Sequence, residues 1–180
     1  MACITKLARA ITYDCDSGAT GLVSALIINK ADIASFTVDA TGTVTALTLA
    51  AGAKAYKIDT VKRSLVMSTA LKVNEGAPNA FTHTATITDM TRATSGNYFN
   101  ICSAMSNGSF VIIFRPAGGA QAVVNGLYYG MSATAFDRNS HDNGAWSTIT
   151  LETPENVIGE DNLSMGSTDY EALYAAAAAE

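Results

Sequence analysis

The run Phe81-Thr82-His83-Thr84-Ala85-Thr86-Ile87-Thr88 alternates without a break between two kinds of side chain. A period of two belongs to the β-strand, whose successive side chains point to opposite faces, and it cannot be placed on one face of a helix. Phe81, His83, Ala85 and Ile87 therefore share one face, and Thr82, Thr84, Thr86 and Thr88 share the other. Threonine is β-branched and suits a pleated surface, so the run is predicted to be a strand with one buried face and one face of hydroxyls. The preceding segment, 64–73, alternates similarly: Leu65, Met67, Leu71 and Val73 fall together, with Ser64, Ser68 and Lys72 opposite. The two segments predict a long hairpin. Its connection, Asn74-Glu75-Gly76-Ala77-Pro78-Asn79, has turn chemistry but is longer than a tight turn needs.

Strand patterns also occur at 5–13, 23–28, 33–38, 44–49 and 55–61, separated by breaks such as Asp14-Cys15-Asp16-Ser17-Gly18. A strand about every ten residues predicts a sandwich or barrel. After Asp89 the pattern changes, because Met90, Tyr98, Ile101, Cys102 and Met105 recur near the helical period, with Thr94 or Ser95 as a cap and Asn107-Gly108 as a stop. Phe110-Val111-Ile112-Ile113-Phe114 follows, a continuous apolar run of the kind that forms a strand buried on both faces, and then a Pro116-Ala117-Gly118-Gly119 turn. Segments 123–136 and 145–152 supply the last predicted strands. The fold class expected is mainly β, a sandwich or barrel with one flanking α-helix, over residues 1–153. Beyond Pro154 the chain turns to Asn, Gly, Asp, Glu and Ser before Asp169-Tyr170-Glu171-Ala172-Leu173-Tyr174 and an alanine run. That composition predicts an extended acidic C-terminal arm over 154–180, ending in a short helix or an untethered tail, outside the core.

At 180 residues the chain has room for one sizeable core. Apolar residues make up 48% of it and charged residues only 15%, against about a quarter charged in soluble domains generally. A surface so poor in ions is expected where much of it is buried against copies of the same chain; the alternative is a monomer with a solvated hydroxyl face. The formal charge is −5 and the densest basic pair is Lys62-Arg63, which disfavours any grip on a phosphate backbone. The three cysteines, Cys3, Cys15 and Cys102, have neither the number nor the spacing of a disulfide framework or zinc site, so a reducing cytoplasm is the expected setting. The start Met1-Ala2-Cys3-Ile4-Thr5-Lys6 lacks the pattern of a signal peptide, and no apolar run approaches the length of a membrane helix.

Chemistry is sparse. His83 lies on the apolar face of the threonine strand, where a packed and hydrogen-bonded histidine is expected. His141 lies in the polar stretch Asp137-Arg138-Asn139-Ser140-His141-Asp142-Asn143-Gly144, whose oxygens suit calcium but whose spacing is not that of an EF-hand loop. Asp14 and Asp16 flank a glycine turn and have no partner acid, base or cleft. No nucleophile elbow, phosphate-cradling loop, CxxC pair or HExxH stands in the sequence. Neither an enzyme, a cofactor nor a metal site is expected.

The order of these features resembles the tail tube family of long-tailed bacteriophages. The opening is similar to tube proteins of phages that infect Bacteroides-type bacteria: Met1-Ala2-Cys3-Ile4, a second cysteine at Cys15, a glycine-bearing turn, and an apolar strand ending near Asn29. Ile33-Ala34-Ser35-Phe36-Thr37-Val38-Asp39, Val44-Thr45-Ala46-Leu47-Thr48 and Ala53-Lys54-Ala55-Tyr56-Lys57 continue the likeness. Residues 1–90 carry most of it, while the helix, the buried strand and 155–162 agree in order and character.

The resemblance implies a small β-barrel or sandwich flanked by one helix. It implies six copies closing a ring by joining their sheets into a continuous inner barrel, with rings stacked through a long loop and terminal arms. The setting implied is the virion tail, assembled in the host bacterial cytoplasm, with other tail or connector proteins as partners and genome DNA passing through the lumen without specific binding. On that basis Ser64, Ser68, Thr82, Thr84, Thr86 and Thr88 are the candidate lumen-facing residues, and Asn74, Glu75, Gly76, Ala77, Pro78 and Asn79 the candidate inter-ring loop. Alternatives are a connector ring of a head–tail junction or short-tail barrel, the tube of a contractile injection apparatus, and a β-sandwich fibre or adhesion module presenting Tyr128, Tyr129 and Trp146.

Overall fold

Five consecutive apolar side chains, Phe110 to Phe114, need cover on both faces of the strand they form, and the surrounding chain supplies it. The computed structural model describes residues 21–58, 60, 64–73, 75–76, 79–89, 96–119, 121–138, 147–154 and 162–177. Along the chain these form β1 (Leu22–Asn29), β2 (Ile33–Val38), β3 (Thr43–Leu49), β4 (Tyr56–Ile58), β5 (Leu65–Lys72), β6 (Ala80–Asp89), α1 (Gly96–Asn107), β7 (Ser109–Pro116), β8 (Ala122–Asn125), β9 (Met131–Arg138), β10 (Ser147–Glu152), β11 (Leu163–Met165) and α2 (Ser167–Ala176). The protein is mainly β. Its strands make one open mixed sheet in the order β2-β3-β11-β8-β7-β9-β10-β6-β5, with β1 joined to β7 and to β4.

Strand β7 is the hub. One edge pairs along its length with β1, from Leu22 opposite Pro116 to Asn29 opposite Phe110. The other edge is divided: Ser109 and Phe110 pair with β9, and Ile112 to Phe114 pair with β8. Alternation then sorts the side chains into two apolar layers. Leu26 and Ile28 of β1 and Val111 and Ile113 of β7 enter the first layer with Val44, Val124, Leu127, Leu163, Met165 and Tyr170. Ala25 of β1 and Phe110, Ile112 and Phe114 of β7 enter the second with Leu65, Ala85, Ile87, Met131, Ile149 and Leu151. Because that second layer takes residues from both β7 and the β10-β6-β5 end, the sheet turns back over itself.

The division of the β7 edge depends on the turn between β8 and β9. The predicted strand at 123–136 is broken there, since Gly126 and Gly130 have φ of 81° and 77°, a left-handed backbone that glycine adopts without strain. A Cβ on Gly126 would also lie 2.8 Å from the Phe110 carbonyl oxygen. The β2–β3 turn is closed differently: Asp39 Oδ1 accepts hydrogen bonds from the backbone N–H of Thr41 and Thr43 and from the Thr41 hydroxyl, at 2.8, 2.9 and 2.7 Å. These bonds hold the Asp39 carboxyl below its usual pKa, the Thr41 hydroxyl most of all. Of the strand pattern at 55–61, the described residues show β4 (Tyr56–Ile58), with 59 and 61 outside them, and the strand expected at 5–13 also lies outside the described residues.

The expected C-terminal arm is the main correction. Strand β11 is inserted between β8 and β3, antiparallel to the first and parallel to the second, and Leu163 and Met165 are buried in the first apolar layer. Helix α2 is docked as well. Tyr170 is fully buried and its hydroxyl donates to Ser24 Oγ at 2.8 Å. Glu171 pairs with Arg115, and Lys57 Nζ lies 4.7 Å from the centre of the Tyr174 ring. Residues 163–176 are thus core and not arm. Composition obscured this because three anchors, Leu163, Met165 and Tyr170, are diluted among small and polar residues.

The docking makes two measurable predictions. Tyr170→Ala should cost about 3–5 kcal/mol in chemical denaturation, as truncation of a buried aromatic does, whereas Tyr170→Phe should cost about 1 kcal/mol for one hydrogen bond. Burial also raises the Tyr170 pKa. A raised folded-state pKa gives stability that is full below the unfolded value, about 10 for tyrosine, and lost as pH rises through the folded value. Alkaline melting curves should show that loss, and Tyr170→Phe should reduce it.

Candidate assembly surface

The outer part of the sheet, β9-β10-β6-β5, is antiparallel throughout and has two chemically different faces. Directly opposed residues share a face, so the pairings define each one. Thr148 lies opposite Thr88, Thr150 opposite Thr86, and Glu152 opposite Thr84. Continuing outward, Ser68 lies opposite Thr84, Val66 opposite Thr86 and Ala70 opposite Thr82. Toward β9, Thr148 meets Asp137 and Thr150 meets Ala135. The threonines of β6 and β10 on this face are partly exposed, and Thr84 donates a hydrogen bond to Glu152 Oε1 at 3.1 Å.

The opposite face is apolar and is closed where it meets the body, while Thr69, Leu71 and Phe136 at its margins are exposed. Ala85, Ile87, Ile149, Leu151 and Leu65 are buried in the second layer. His83 is fully buried on this face: its Nδ1 lies 3.0 Å from the Thr69 hydroxyl, and its backbone N–H donates to Thr153 Oγ1 at 3.0 Å. It is the packed, hydrogen-bonded histidine that the alternation implies.

Of the six candidate lumen residues, the structure brings Thr82, Thr84, Thr86, Thr88 and Ser68 onto one accessible face. Ser64 is buried and does not join them. In the candidate loop, Glu75, Gly76 and Asn79 are exposed, while Asn74, Ala77 and Pro78 lie outside the described residues. The hairpin projects from the body at this end, with Ser68 to Leu71 all exposed and Leu71 and Val73 at 59% and 71%.

Alternation alone did not reveal the strand edges. Strand β5 pairs only with β6 among the described strands. The Thr88 N–H bonds the Ser64 carbonyl, so in an antiparallel ladder the even-numbered residues of β5 bond to β6 and the N–H groups of Leu65, Met67, Thr69 and Leu71 point outward. At the other side, β9 pairs with β7 only through Met131 and Ser132, and no described strand bonds that edge from Ala133 to Arg138. The apolar Val66 and Phe136, 48% and 46% exposed, sit along these edges. A valine on an otherwise hydroxyl-bearing face was the one visible signal in the sequence.

Other candidates are accounted for. Among the described residues no three His, Cys, Asp or Glu side chains gather as metal ligands, and no helix is long and apolar enough to cross a membrane. Tyr128 packs edge-on against Phe36 with centroids 5.5 Å apart, Tyr129 is exposed, and Trp146 and His141 lie outside the described residues, as do Asp14, Asp16 and the Lys62-Arg63 pair. Cys102 is buried. No known protein family, no characterised protein and no solved structure matches the chain.

The two faces predict opposite responses to charge. Thr84→Lys with Thr86→Lys should fold with a melting temperature within a few degrees of the parent. Ala85→Lys, one position away, places a charge in the second layer and should abolish the cooperative transition seen by circular dichroism.

Proposed function

We propose that the chain is a non-enzymatic structural subunit that closes into rings, of the phage tail tube type, and that stacked rings form the conduit for genome delivery. The observation that carries this reading is a hydroxyl-faced, four-strand antiparallel unit with, at each side, an edge that no described strand pairs over most of its length. In such a unit the outer strands run in opposite directions. Strand β5 of one copy therefore meets β9 of the next antiparallel, and repetition around an axis joins the units into one barrel.

Closure suits the physical chemistry. Exposed strand edges invite uncontrolled pairing, and only a closed barrel removes them altogether. A junction between two different surfaces of the same chain generates rings or filaments according to its rotation. The inward face would carry hydroxyls that wet readily, with Lys72 at its hairpin end, Glu152 level with Thr84, and Asp137 level with Thr88. Phosphates of passing DNA would meet no row of positive charge, so the genome would slide and not adhere. The projecting hairpin and its 74–79 connection would reach the adjoining ring or a tail or connector protein.

Leu71→Pro tests the junction. Proline removes an outward N–H of β5 and leaves the β6 ladder intact. The expected result in sedimentation velocity is ring-sized species for the parent and a folded monomer for the variant; identical assembly by both would contradict a β5 junction. In assembled particles, Thr84→Lys with Thr86→Lys should slow DNA ejection, and undiminished infectivity would count against a lumen-facing role.

A further inference from the structure

The two outer edges of the hydroxyl-faced sheet match in hydrogen-bond phase as well as in direction. The Thr153 N–H bonds the His83 carbonyl, so the odd-numbered residues of β10 bond to β6 and the even-numbered ones bond to β9. Thr148 and Thr150 lie opposite Asp137 and Ala135, which turns the N–H groups of Phe136 and Arg138 to the outer edge. On β5 the outward groups are those of Leu65, Met67, Thr69 and Leu71. Phe136 lies opposite Ile149, Met67 opposite Ala85 and Leu71 opposite Phe81. At both edges, therefore, the outward-bonding residues are those of the apolar face. An even number of strands gives the two edges this common phase, and copies can join edge to edge without turning either face over.

We infer, resting on the β5–β9 junction proposed above, that β5 of one copy joins β9 of the next in a single register, with Leu71 directly opposite Phe136. Phase and face together allow registers only in steps of two residues. One step further in, with Thr69 opposite Phe136, the end of the hairpin strand at Lys72 or Val73 would fall beside Ser132, where Ser109 of β7 already sits. One step further out, with Val73 opposite Phe136, only Leu71 to Val73 would overlap the described length of β9. The register between them is the longest that β7 permits, and it sets Thr69, Ala70, Leu71 and Lys72 against Arg138, Asp137, Phe136 and Ala135.

The side chains suit that pairing. Of the apolar-face residues in β5 and β9, Leu71 and Phe136 are the large ones left exposed, at 59% and 46%. Directly opposed, an aromatic and an aliphatic side chain cover each other across the junction. Asp137 faces Ala70, Lys72 faces Ala135 and Arg138 faces Thr69, so no like charges are opposed. Lys72 and Asp137 become diagonal neighbours on the hydroxyl face, within reach of a long side chain.

Paired cysteines test the register. Lys72 and Ala135 would form a non-hydrogen-bonded pair with Cα atoms about 4.5 Å apart, within the span of a disulfide, whereas diagonal neighbours lie about 7–8 Å apart. Oxidation of assembled Lys72→Cys with Ala135→Cys should give a ladder of covalent multimers in non-reducing electrophoresis. Ala70→Cys with Ala135→Cys and Lys72→Cys with Asp137→Cys, the pairs of the two flanking registers, should give no more than the parent, whose own cysteines set the background. A ladder from either flanking pair, or none from the first pair in particles that electron microscopy shows as rings, would overturn the register while leaving the ring reading intact. A parent that forms no rings would overturn both. Without new cysteines, Leu71→Ala and Phe136→Ala should each raise the concentration needed for rings by about tenfold, and together by less than the product, because the two side chains touch. Strictly multiplicative effects would count against the pairing.

Discussion

Burial of β7 on both faces requires two separate apolar layers, and the placing of the other elements follows from that demand. Each large side chain moved out of water contributes about 1.5–3 kcal/mol, and Val111, Ile112 and Ile113 are completely covered. Strand β1 can flank β7 because it carries the same two-sided character, with Leu26 and Ile28 turned one way and Ala25 and Ile27 the other. The layers are then closed by elements from opposite ends of the chain. The β2–β3 hairpin, β11 and α2 close one, and the β10-β6-β5 strands close the other.

The second closure leaves the surface on which the functional reading rests. A strand that seals a core with Ala85 and Ile87 must turn Thr84, Thr86 and Thr88 to the opposite side, because successive residues cannot share a face. The hydroxyl face is thus the geometric counterpart of the buried one. Low overall charge gives this face its character, since few ions are available to interrupt it. The edges have a similar origin. Strand β9 leaves β7 after Ser132, so its remaining length has a partner on one side only among the described strands.

Much of this was legible in the sequence, and the gaps have physical causes. The hairpin, its two faces, the buried histidine, the helix before β7 and the two-sided burial of β7 each follow from a local repeat, and each is found where the repeat puts it. The β11–α2 segment was misread because its placement depends on a slot between β3 and β8 that no local pattern encodes. The break at Gly126 was missed because apolar residues continue on either side of it. Edges are properties of the whole sheet, and only Val66, apolar on a hydroxyl face, hinted at one. Ser64 has the parity of the hydroxyl face but lies where the hairpin joins the body, and so is buried.

The proposed function rests on the two edges of the hydroxyl-faced sheet that no described strand pairs over most of their length, which further copies are proposed to join. Electron microscopy of the purified protein, with class averaging of end views, tests it most directly. Hollow rings stacked into tubes, with a continuous inner wall of strands, are the result this account predicts. A field of dispersed monomers at every concentration, or solid assemblies without a lumen, would contradict it.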